Sequence, residues 1–188
     1  MAAIRPALAP VVALALLMLP ACSAEETAET AAAEPTDGTL AEAISDAGGL
    51  GTVAFALDDT GLSDVFEGAG SYTLFAPNDA AFEALGEVGT ALREPEQRAA
   101  FAAVLRDHIV PGYLTPEDIE SALDARRGSV SIETMGDQTL RFTRAGEGIR
   151  VTAENGTSAM LTGNPVRARN GVAIPLDGVL KDFSAPGA

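Results

Sequence analysis

The chain has 188 residues, a length typical of one domain, and its Asp and Glu residues outnumber Lys and Arg by 27 to 12. The resulting net charge of −15 argues against a nucleic-acid-binding protein, because neutralising phosphates requires clustered Lys and Arg. The same acidity argues against electrostatic attraction to anionic lipid, so any contact with a membrane has to come from another source.

Residues 1–21 have the composition of a secretory signal peptide. Arg5 supplies the positive n-region, and residues 11–19 form an uninterrupted apolar stretch. That stretch suits the h-region of a signal and is too short to span a bilayer as a helix. We therefore predict export across an inner membrane.

The tetrapeptide Leu19-Pro20-Ala21-Cys22 resembles the lipobox of bacterial lipoproteins, although Pro20 departs from the usual small or aliphatic residue. Cys22 is the only cysteine, so it cannot form an internal disulfide, and a thioether to diacylglycerol would account for it. We predict lipidation at Cys22; the alternative is an ordinary cleaved signal in which Cys22 is incidental. Lipidation would anchor the protein to the cell envelope, at the outer membrane or cell surface. Without lipidation, the protein would be periplasmic or extracellular.

Residues 22–38 are predicted to form an acidic, alanine-rich tether. Residues 23–37 contain no large apolar side chain. Burial of apolar surface therefore cannot offset the entropic cost of ordering this segment. The folded part is predicted to begin at Thr39.

Two short helices are predicted next. Thr39-Leu40-Ala41-Glu42 has the form of a capping box, and Gly48-Gly49 ends the helix that it begins. Apolar residues at helical spacing from Leu50 to Leu57 predict a second helix, which Gly61 closes.

A buried strand is predicted at residues 72–75, and Pro77 ends it because proline cannot donate to a strand ladder. Asn78 can then cap a helix that carries Phe82 on its apolar face. Phe75 and Phe82 would lie on either side of this bend and hold it to the core.

A later helix is predicted to begin at Pro95, which suits a first helical turn. Residues at positions i, i+3, i+4 and i+7 form its apolar stripe: Phe101, Val104, Leu105 and His108. We expect this helix to run as far as Pro111-Gly112, and another short helix to begin at Thr115.

The last third of the chain is strand-like. Apolar and polar residues alternate at residues 130–132, 140–142 and 149–151, with turn residues between them. Asn170-Gly171 predicts a tight hairpin turn in which both residues have positive φ. Because helices come first and strands later, without regular alternation, we predict an α+β fold and not a doubly wound parallel sheet.

Three segments, in order, resemble the signatures of the fasciclin domain family: residues 72–85 (YTLFAPNDAAFEAL), 105–112 (LRDHIVPG) and 170–180 (NGVAIPLDGVL). The resemblance covers most of the proposed domain, residues 39–184, and implies a wedge of β-sheet packed against several short helices. The motif positions, which we expect to be mainly structural, are Phe75, Pro77, Asn78, Phe82, His108, Asn170, Gly171 and Asp177.

The third segment departs from the family pattern at one point. Where the family often has a histidine this chain has Ile174, and Pro175 follows it with the loss of a backbone donor. Any role that the family gives to that histidine therefore cannot transfer to this chain, and ligand preferences taken from relatives are a weak guide to its ligand. Asp177 interrupts an otherwise apolar strand and, if buried, needs partners such as backbone amides.

His108 is the only histidine, and two interpretations are open. It could be a pH-sensitive or ligand-contacting group. We favour the alternative, a core histidine at the edge of an apolar stripe that is bonded to backbone.

No residue pattern indicates a catalytic, cofactor or metal site. One His and one Cys exclude the usual zinc sets, and Asp58-Asp59 would bind calcium only loosely. Residues 49–54 fit a loose dinucleotide fingerprint, but the preceding segment is predicted to be a helix and the motif needs a strand there. No Gly-x-Ser-x-Gly occurs, so we do not expect an enzyme.

Two functions are compatible with these features. The first is a lipid-anchored module for cell adhesion or extracellular interaction, whose partner would be an envelope protein, a polysaccharide or a neighbouring cell's surface. The second is a small-molecule carrier or sensor with an apolar pocket between helices and sheet. A formed, apolar-lined cavity would favour the second, and a solid core would count against it.

Overall fold

The computed structural model describes residues 35–68, 70–126 and 128–184. The predicted signal peptide (residues 1–21), the lipidation site Cys22 and most of the predicted tether (residues 22–38) lie outside the described residues. The described residues fall within one compact unit, residues 32–188.

Most of the helices are short. The α-helices are α1 (Leu40–Asp46), α2 (Gly51–Thr60), α3 (Asp79–Glu83), α4 (Glu87–Ala91), α5 (Arg98–Arg106) and α6 (Pro116–Arg126). Two 3-10 helices, Leu62–Phe66 and Pro95–Gln97, lie between them.

Eight strands form two four-stranded sheets within the described residues. The strands are β1 (Tyr72–Pro77), β2 (Ile109–Pro111), β3 (Ser129–Glu133), β4 (Thr139–Ala145), β5 (Gly148–Ala153), β6 (Ser158–Met160), β7 (Val166–Ala168) and β8 (Gly171–Leu176). Sheet A has the order β2-β1-β8-β7, in which β1 and β8 are parallel and the other pairs antiparallel. Sheet B is the antiparallel meander β3-β4-β5-β6.

Sheet A is buried on both faces. Leu74 and Ala76 of β1 face a core that they share with helices α1, α2 and α5, whereas Phe75 faces a second core shared with sheet B. A strand that is covered on both sides needs apolar residues at successive positions. This is why residues 74–77 are all buried and carry no alternation.

Sheet B is buried on one face only. Leu140 and Phe142 point into the second core together with Val151, and Ile119 of α6 packs there too. The residues between them are largely exposed, as Arg141 shows, so β4 alternates in the way that a half-buried antiparallel strand does. The α+β class predicted from the sequence is confirmed, with two sheets in place of a single wedge.

The local signals for the first two helices are confirmed. Thr39 and Glu42 form a reciprocal capping box at the start of α1. Gly61 closes α2 in the left-handed conformation, with φ of 69°, which a residue without Cβ adopts at little cost.

The predicted extent of the helix that contains Phe101 is wrong. The α-helix ends at Arg106, and residues 109–111 form β2, an edge strand that pairs with β1. Ile109 and Val110 are β-branched and fully buried, so pairing with β1 outweighs the helical spacing. His108 therefore lies in the turn between α5 and β2 and not on the helix.

Candidate functional site

The first of the three family-like segments, residues 72–85, forms the bend from β1 into α3; we call it the first motif. The Asn78 side chain accepts a 2.8 Å hydrogen bond from the backbone of Ala81 and so caps α3, as its residue type predicts. The Asn78 amide donates to the Leu176 carbonyl at 2.9 Å, which continues the β1–β8 pairing beyond Pro77. The bend is thereby fixed at both of its ends.

The two aromatic residues of this motif lie in different cores. Phe75 packs on Phe142 of sheet B, with ring centroids 4.9 Å apart. Phe82 makes an edge-on contact with Phe101 of α5 at 5.8 Å. Pro77, between them, is buried as the last residue of β1. The motif thus connects the core between the sheets with the core beneath the helices.

Asp79 has a role that the sequence analysis missed. Helix α2 has Leu50 at its N-cap position, with no side-chain acceptor, and the Asp79 carboxylate supplies one from α3. It accepts from the backbone of Thr52 at 2.7 Å and of Gly51 at 3.2 Å. Desolvation acts to raise the pKa of Asp79, but these hydrogen bonds outweigh it and hold the pKa below its ordinary value. Leu50 at the N-cap of α2 cannot accept from the first amides of the helix, and this residue type indicates that an acceptor from elsewhere in the chain is needed.

The dinucleotide-like run at residues 49–54 is not a phosphate site. It opens α2, but the element before it is helix α1 and not a strand. The first amides of α2 already donate to Asp79. A phosphate would have to displace that carboxylate, so the motif has a structural role.

His108 is fully buried, and both of its ring nitrogens have backbone partners. Nε2 accepts from the Leu180 amide at 3.0 Å, which leaves Nδ1 as the protonated nitrogen that donates to the Val104 carbonyl at 2.7 Å. Burial lowers the pKa of His108 to about 4, so the ring is neutral at physiological pH. The geometry matches the core interpretation and leaves no ring nitrogen free for a ligand.

Asn170 joins three parts of the fold through its side chain. Its Oδ1 accepts from the Leu40 amide at 2.8 Å, and its Nδ2 donates to the Phe66 carbonyl. The first bond satisfies an amide at the start of α1, and the second holds the end of the 3-10 helix Leu62–Phe66. Asn170 therefore fixes α1 and this 3-10 helix to the turn between β7 and β8.

The predicted hairpin turn is present but shifted by one residue. The turn residues are Arg169 and Asn170, because Ala168 pairs with Gly171. Neither Asn170 nor Gly171 has positive φ, so the prediction of positive φ angles is wrong. Glycine is needed at 171 for space: a Cβ there would lie 2.5 Å from the Tyr72 carbonyl oxygen.

Asp177 follows β8 and is exposed, so the condition of burial under which we expected backbone partners is not met, yet it has one. Its carboxylate accepts from the Met160 amide at 2.7 Å, and its own amide donates to the Met160 carbonyl at 3.2 Å. Asp177 therefore ties the end of sheet A to β6 of sheet B.

Pro175 has no backbone N–H to donate to a neighbouring strand. It is tolerated in β8 because β7 pairs with β8 only as far as Ala173.

The described residues offer no metal site and no membrane-spanning helix. Across residues 35–68, 70–126 and 128–184, no three His, Cys, Asp or Glu side chains are grouped so that they could hold a metal ion. Asp59 of the candidate calcium pair forms a 2.8 Å ion pair with Arg98. Within the same ranges, no helix has the length and apolar character needed to cross a membrane.

A broad concave surface lies between α1, α2 and residues 164–167, and we call it the acidic groove. Its apolar lining includes Ala47, Ala54 and Phe55. The exposed acidic residues Asp46, Asp58 and Glu67 also line it, and we call these three its rim. Phe55 is 43% exposed, more than any other large hydrophobic residue in the described part of the chain. No local pattern in the sequence indicates the groove, because α1, α2 and residues 164–167 meet only in the folded chain.

The interior between helices and sheet A is filled by side chains. Leu40, Val53, Phe66, Phe101 and Leu105 are all fully buried there. The acidic groove, by contrast, is open to solvent, so this geometry favours surface binding over enclosure of a small molecule.

The chain is similar to known proteins over most of the described fold. The sequence profile of the fasciclin domain matches residues 48–182. The transforming growth factor-beta-induced protein ig-h3 of Sus scrofa is 29% identical over 136 residues, which are 71% of this chain and 18% of that protein. The chain thus spans about a fifth of the length of this relative.

A solved structure shares the fold. It is that of a FAS1 domain pair from the insect cell adhesion molecule fasciclin I, with a TM-score of 0.69 and 14% sequence identity. The match covers 80% of this chain and 52% of that one. At this identity the likeness concerns the arrangement of helices and sheets.

Proposed function

The chain belongs to the fasciclin domain family, and on this premise we propose that it is a lipid-anchored envelope protein whose domain acts as a module for cell adhesion or extracellular interaction. Fasciclin domains are associated with cell adhesion and are typically extracellular or secreted. The role of this particular chain is our inference from the family, the residues of the motifs and the N-terminal sequence.

The observation that carries the proposal is that the buried His108 is bonded only to backbone groups of the domain itself. Its two ring nitrogens form hydrogen bonds with backbone groups of Val104 and Leu180. The most chemically versatile side chain among the motif positions therefore has a structural role. Asn170 and Asp177 are likewise engaged with backbone groups. A partner would therefore be recognised by other residues, on the surface of the domain.

The N-terminal sequence supports the envelope location. Residues 1–21 have the pattern of a signal peptide, and Cys22 stands where a lipobox requires it. A lipid on Cys22 followed by an acidic tether would hold the domain off the membrane, where it could meet another envelope protein, a polysaccharide or a neighbouring cell. The tether would end before Thr36, whose amide donates to the Arg167 carbonyl of the domain at 3.0 Å. No cofactor is needed for such a role.

The alternative function, a carrier or sensor of small molecules, requires an apolar cavity. The core between the helices and sheet A is filled by buried side chains, and the acidic groove opens to solvent. We therefore rank the interaction module first.

Intact mass spectrometry of the protein from its native membrane fraction tests the anchor. We expect a mass that corresponds to cleavage before Cys22 with attached lipid, and loss of that mass in Cys22→Ala. Ser23→Ala is the matched control and should keep the lipid. An unlipidated wild-type protein that is cleaved elsewhere would refute the anchor and favour a freely diffusing carrier.

Deletion of the gene tests the adhesion role. We expect weaker attachment or cell–cell contact, restored by the wild-type gene. Unchanged attachment in the deletion strain would refute adhesion while leaving the anchor result intact.

A further inference from the structure

The negative charge of the domain is unevenly distributed. Residues 37–97, which we call the helical half, include α1 to α4 together with β1. They contain twelve Asp or Glu residues and one Arg. Residues 98–184, which include sheet B, contain eleven acidic and ten basic residues. Almost all of the domain's net charge therefore comes from the helical half, where the acidic groove lies.

The acidic groove combines this charge with an exposed apolar wall. Phe55 projects from α2 beside Ala47 and Ala54, and an exposed phenylalanine in a concave surface offers apolar area to a partner. Asp46, Asp58 and Glu67 line the same groove as Phe55, and Asp58 lies three residues from Phe55 on the same face of α2. A ligand that contacts the phenylalanine is therefore close to several carboxylates.

The rim carboxylates are available for a partner. The Asp46, Asp58 and Glu67 side chains form no hydrogen bond or ion pair with other residues in the described part of the chain, and all three are exposed. The nearby basic side chain of Arg167 is already paired with Glu117 at 3.0 Å. Arg169 lies beside Glu67 and close enough to Glu42 to lower the pKa of that carboxyl, but it forms no ion pair with a rim carboxylate in the described part of the chain. The rim thus presents a net negative charge.

We propose that the acidic groove is the docking site for a cationic polypeptide segment of a partner protein, which inserts an apolar side chain against Phe55 and places Lys or Arg beside the rim. Charge complementarity selects and orients such a segment, and burial of the apolar side chain holds it. This inference rests on the proposed interaction function and narrows the partner to a basic, amphipathic polypeptide.

Like charge argues against the two other occupants. Residues 23–34 of this chain contain four Glu and no Lys or Arg, so the rim repels them. A second copy of the domain would bring its own acidic helical half, and the sequence carries a net charge of −15. Both the tether and a homodimer are therefore disfavoured relative to a cationic partner.

Binding of synthetic peptides to the full chain, measured by calorimetry, tests the proposal. One probe alternates Lys and Leu, and the second has the same charge with Ser in place of Leu. We expect the Leu-containing peptide to bind about tenfold more tightly, and Phe55→Ser to remove that preference. Tyr113→Ser, at another exposed aromatic residue, is the matched control and should keep it.

Charge variants separate the groove from the general acidity of the protein. Asp46→Asn/Asp58→Asn/Glu67→Gln should weaken binding of both peptides about tenfold. Glu133→Gln/Glu147→Gln/Glu154→Gln makes the same change in charge at sheet B and should leave binding within about twofold. An equal loss in both triple variants, or no preference for the Leu-containing peptide, would overturn the proposal.

A third measurement identifies the occupant. Nuclear Overhauser contacts between Phe55 and residues 23–34 in the peptide-free chain would show that the tether fills the groove, and would also overturn the proposal. The groove variants should leave lipidation unchanged, and Cys22→Ala should leave peptide binding unchanged. Failure of the groove proposal is therefore distinguishable from failure of the proposed anchoring.

Discussion

His108 Nε2 accepts a 3.0 Å hydrogen bond from the backbone amide of Leu180, a residue 72 positions later in the chain. The bond joins the turn before β2 to the segment that follows β8. Nε2 can accept only when the ring is neutral, and the same ring donates from Nδ1 to Val104. The folded state therefore requires an uncharged histidine at this position.

The first prediction concerns pH. The pKa of His108 falls from 6.5 to about 4 on folding because the ring is buried. Between these values the unfolded chain binds a proton that the native state does not, so stability decreases as pH falls. Above about pH 6.5 His108 is neutral in both states and does not reduce stability. By pH 4 its protonation in the unfolded chain has lowered the free energy of unfolding by about 3 kcal/mol. Urea unfolding at a series of pH values measures the free energy of unfolding.

The non-titrating variant His108→Gln isolates this effect. Its stability should lack the component that wild type loses between pH 6.5 and 4. Comparison with the variant is needed because burial raises the pKa of Asp107, and that change acts on stability in the opposite direction. Parallel pH profiles for wild type and His108→Gln would show that the histidine does not titrate as predicted.

The second prediction concerns Gly171. A Cβ at this position would meet the Tyr72 carbonyl oxygen at 2.5 Å and Leu40 Cδ2 at 2.8 Å. Both belong to packed elements, so Gly171→Ala should cost at least about 2 kcal/mol or prevent folding. Gly48→Ala is the control, since a Cβ there has no neighbour within 4 Å. Thermal denaturation compares the two, and similar midpoints would contradict the close-approach explanation.

The third prediction concerns Asn170. Asn170→Ala leaves the Leu40 amide and the Phe66 carbonyl without their partner, and we expect a loss of about 2 kcal/mol or more. Hydrogen exchange should show α1 and the 3-10 helix Leu62–Phe66 opening more readily than β4 does. Asn164→Ala, at an exposed asparagine, should change neither. Uniform loss of protection across the domain would indicate that Asn170 does not act locally.

Local signals in the sequence predict much of this fold. The capping box at Thr39 and the glycine that closes α2 act within a few residues, so the residue types alone specify them. The strands of sheet B alternate because only one of its faces is buried. Sheet A reads as a continuous apolar run because both of its faces are buried.

The failures arise where distant partners decide the local structure. Ile109 continues a helical stripe, yet it lies in β2 because Leu74 offers a strand edge with which to pair. Asn170-Gly171 has the composition of a tight turn. The turn is displaced by one residue because Asn170 has tertiary partners and Gly171 lies against Tyr72. The acidic groove is likewise created by the meeting of α1, α2 and residues 164–167.

The fourth prediction concerns Asp79, which caps α2 from outside that helix. Asp79→Asn keeps the shape of the side chain but replaces a charged acceptor at the positive end of the helix dipole, so we expect a loss of about 1 kcal/mol. Arg93, which donates to the Thr52 hydroxyl, also lowers the pKa of Asp79 through its charge, so the variant removes this attraction together with the charged cap. Asp64→Asn, at an exposed carboxylate in the 3-10 helix, is the matched control and should be nearly neutral.

The pH dependence of Asp79→Asn distinguishes a charged cap from a neutral one. Because hydrogen bonds from Thr52 and Gly51 outweigh desolvation and lower the pKa of Asp79 below 3.8, its stabilisation is present above that value and is lost as pH falls through the lower folded pKa. The difference in unfolding free energy between wild type and Asp79→Asn should therefore be largest near neutral pH and shrink in acid. A difference that stays constant down to acidic pH would mean that the Asp79 carboxylate contributes by shape alone, and the lowered pKa would then have no consequence for the stability of α2.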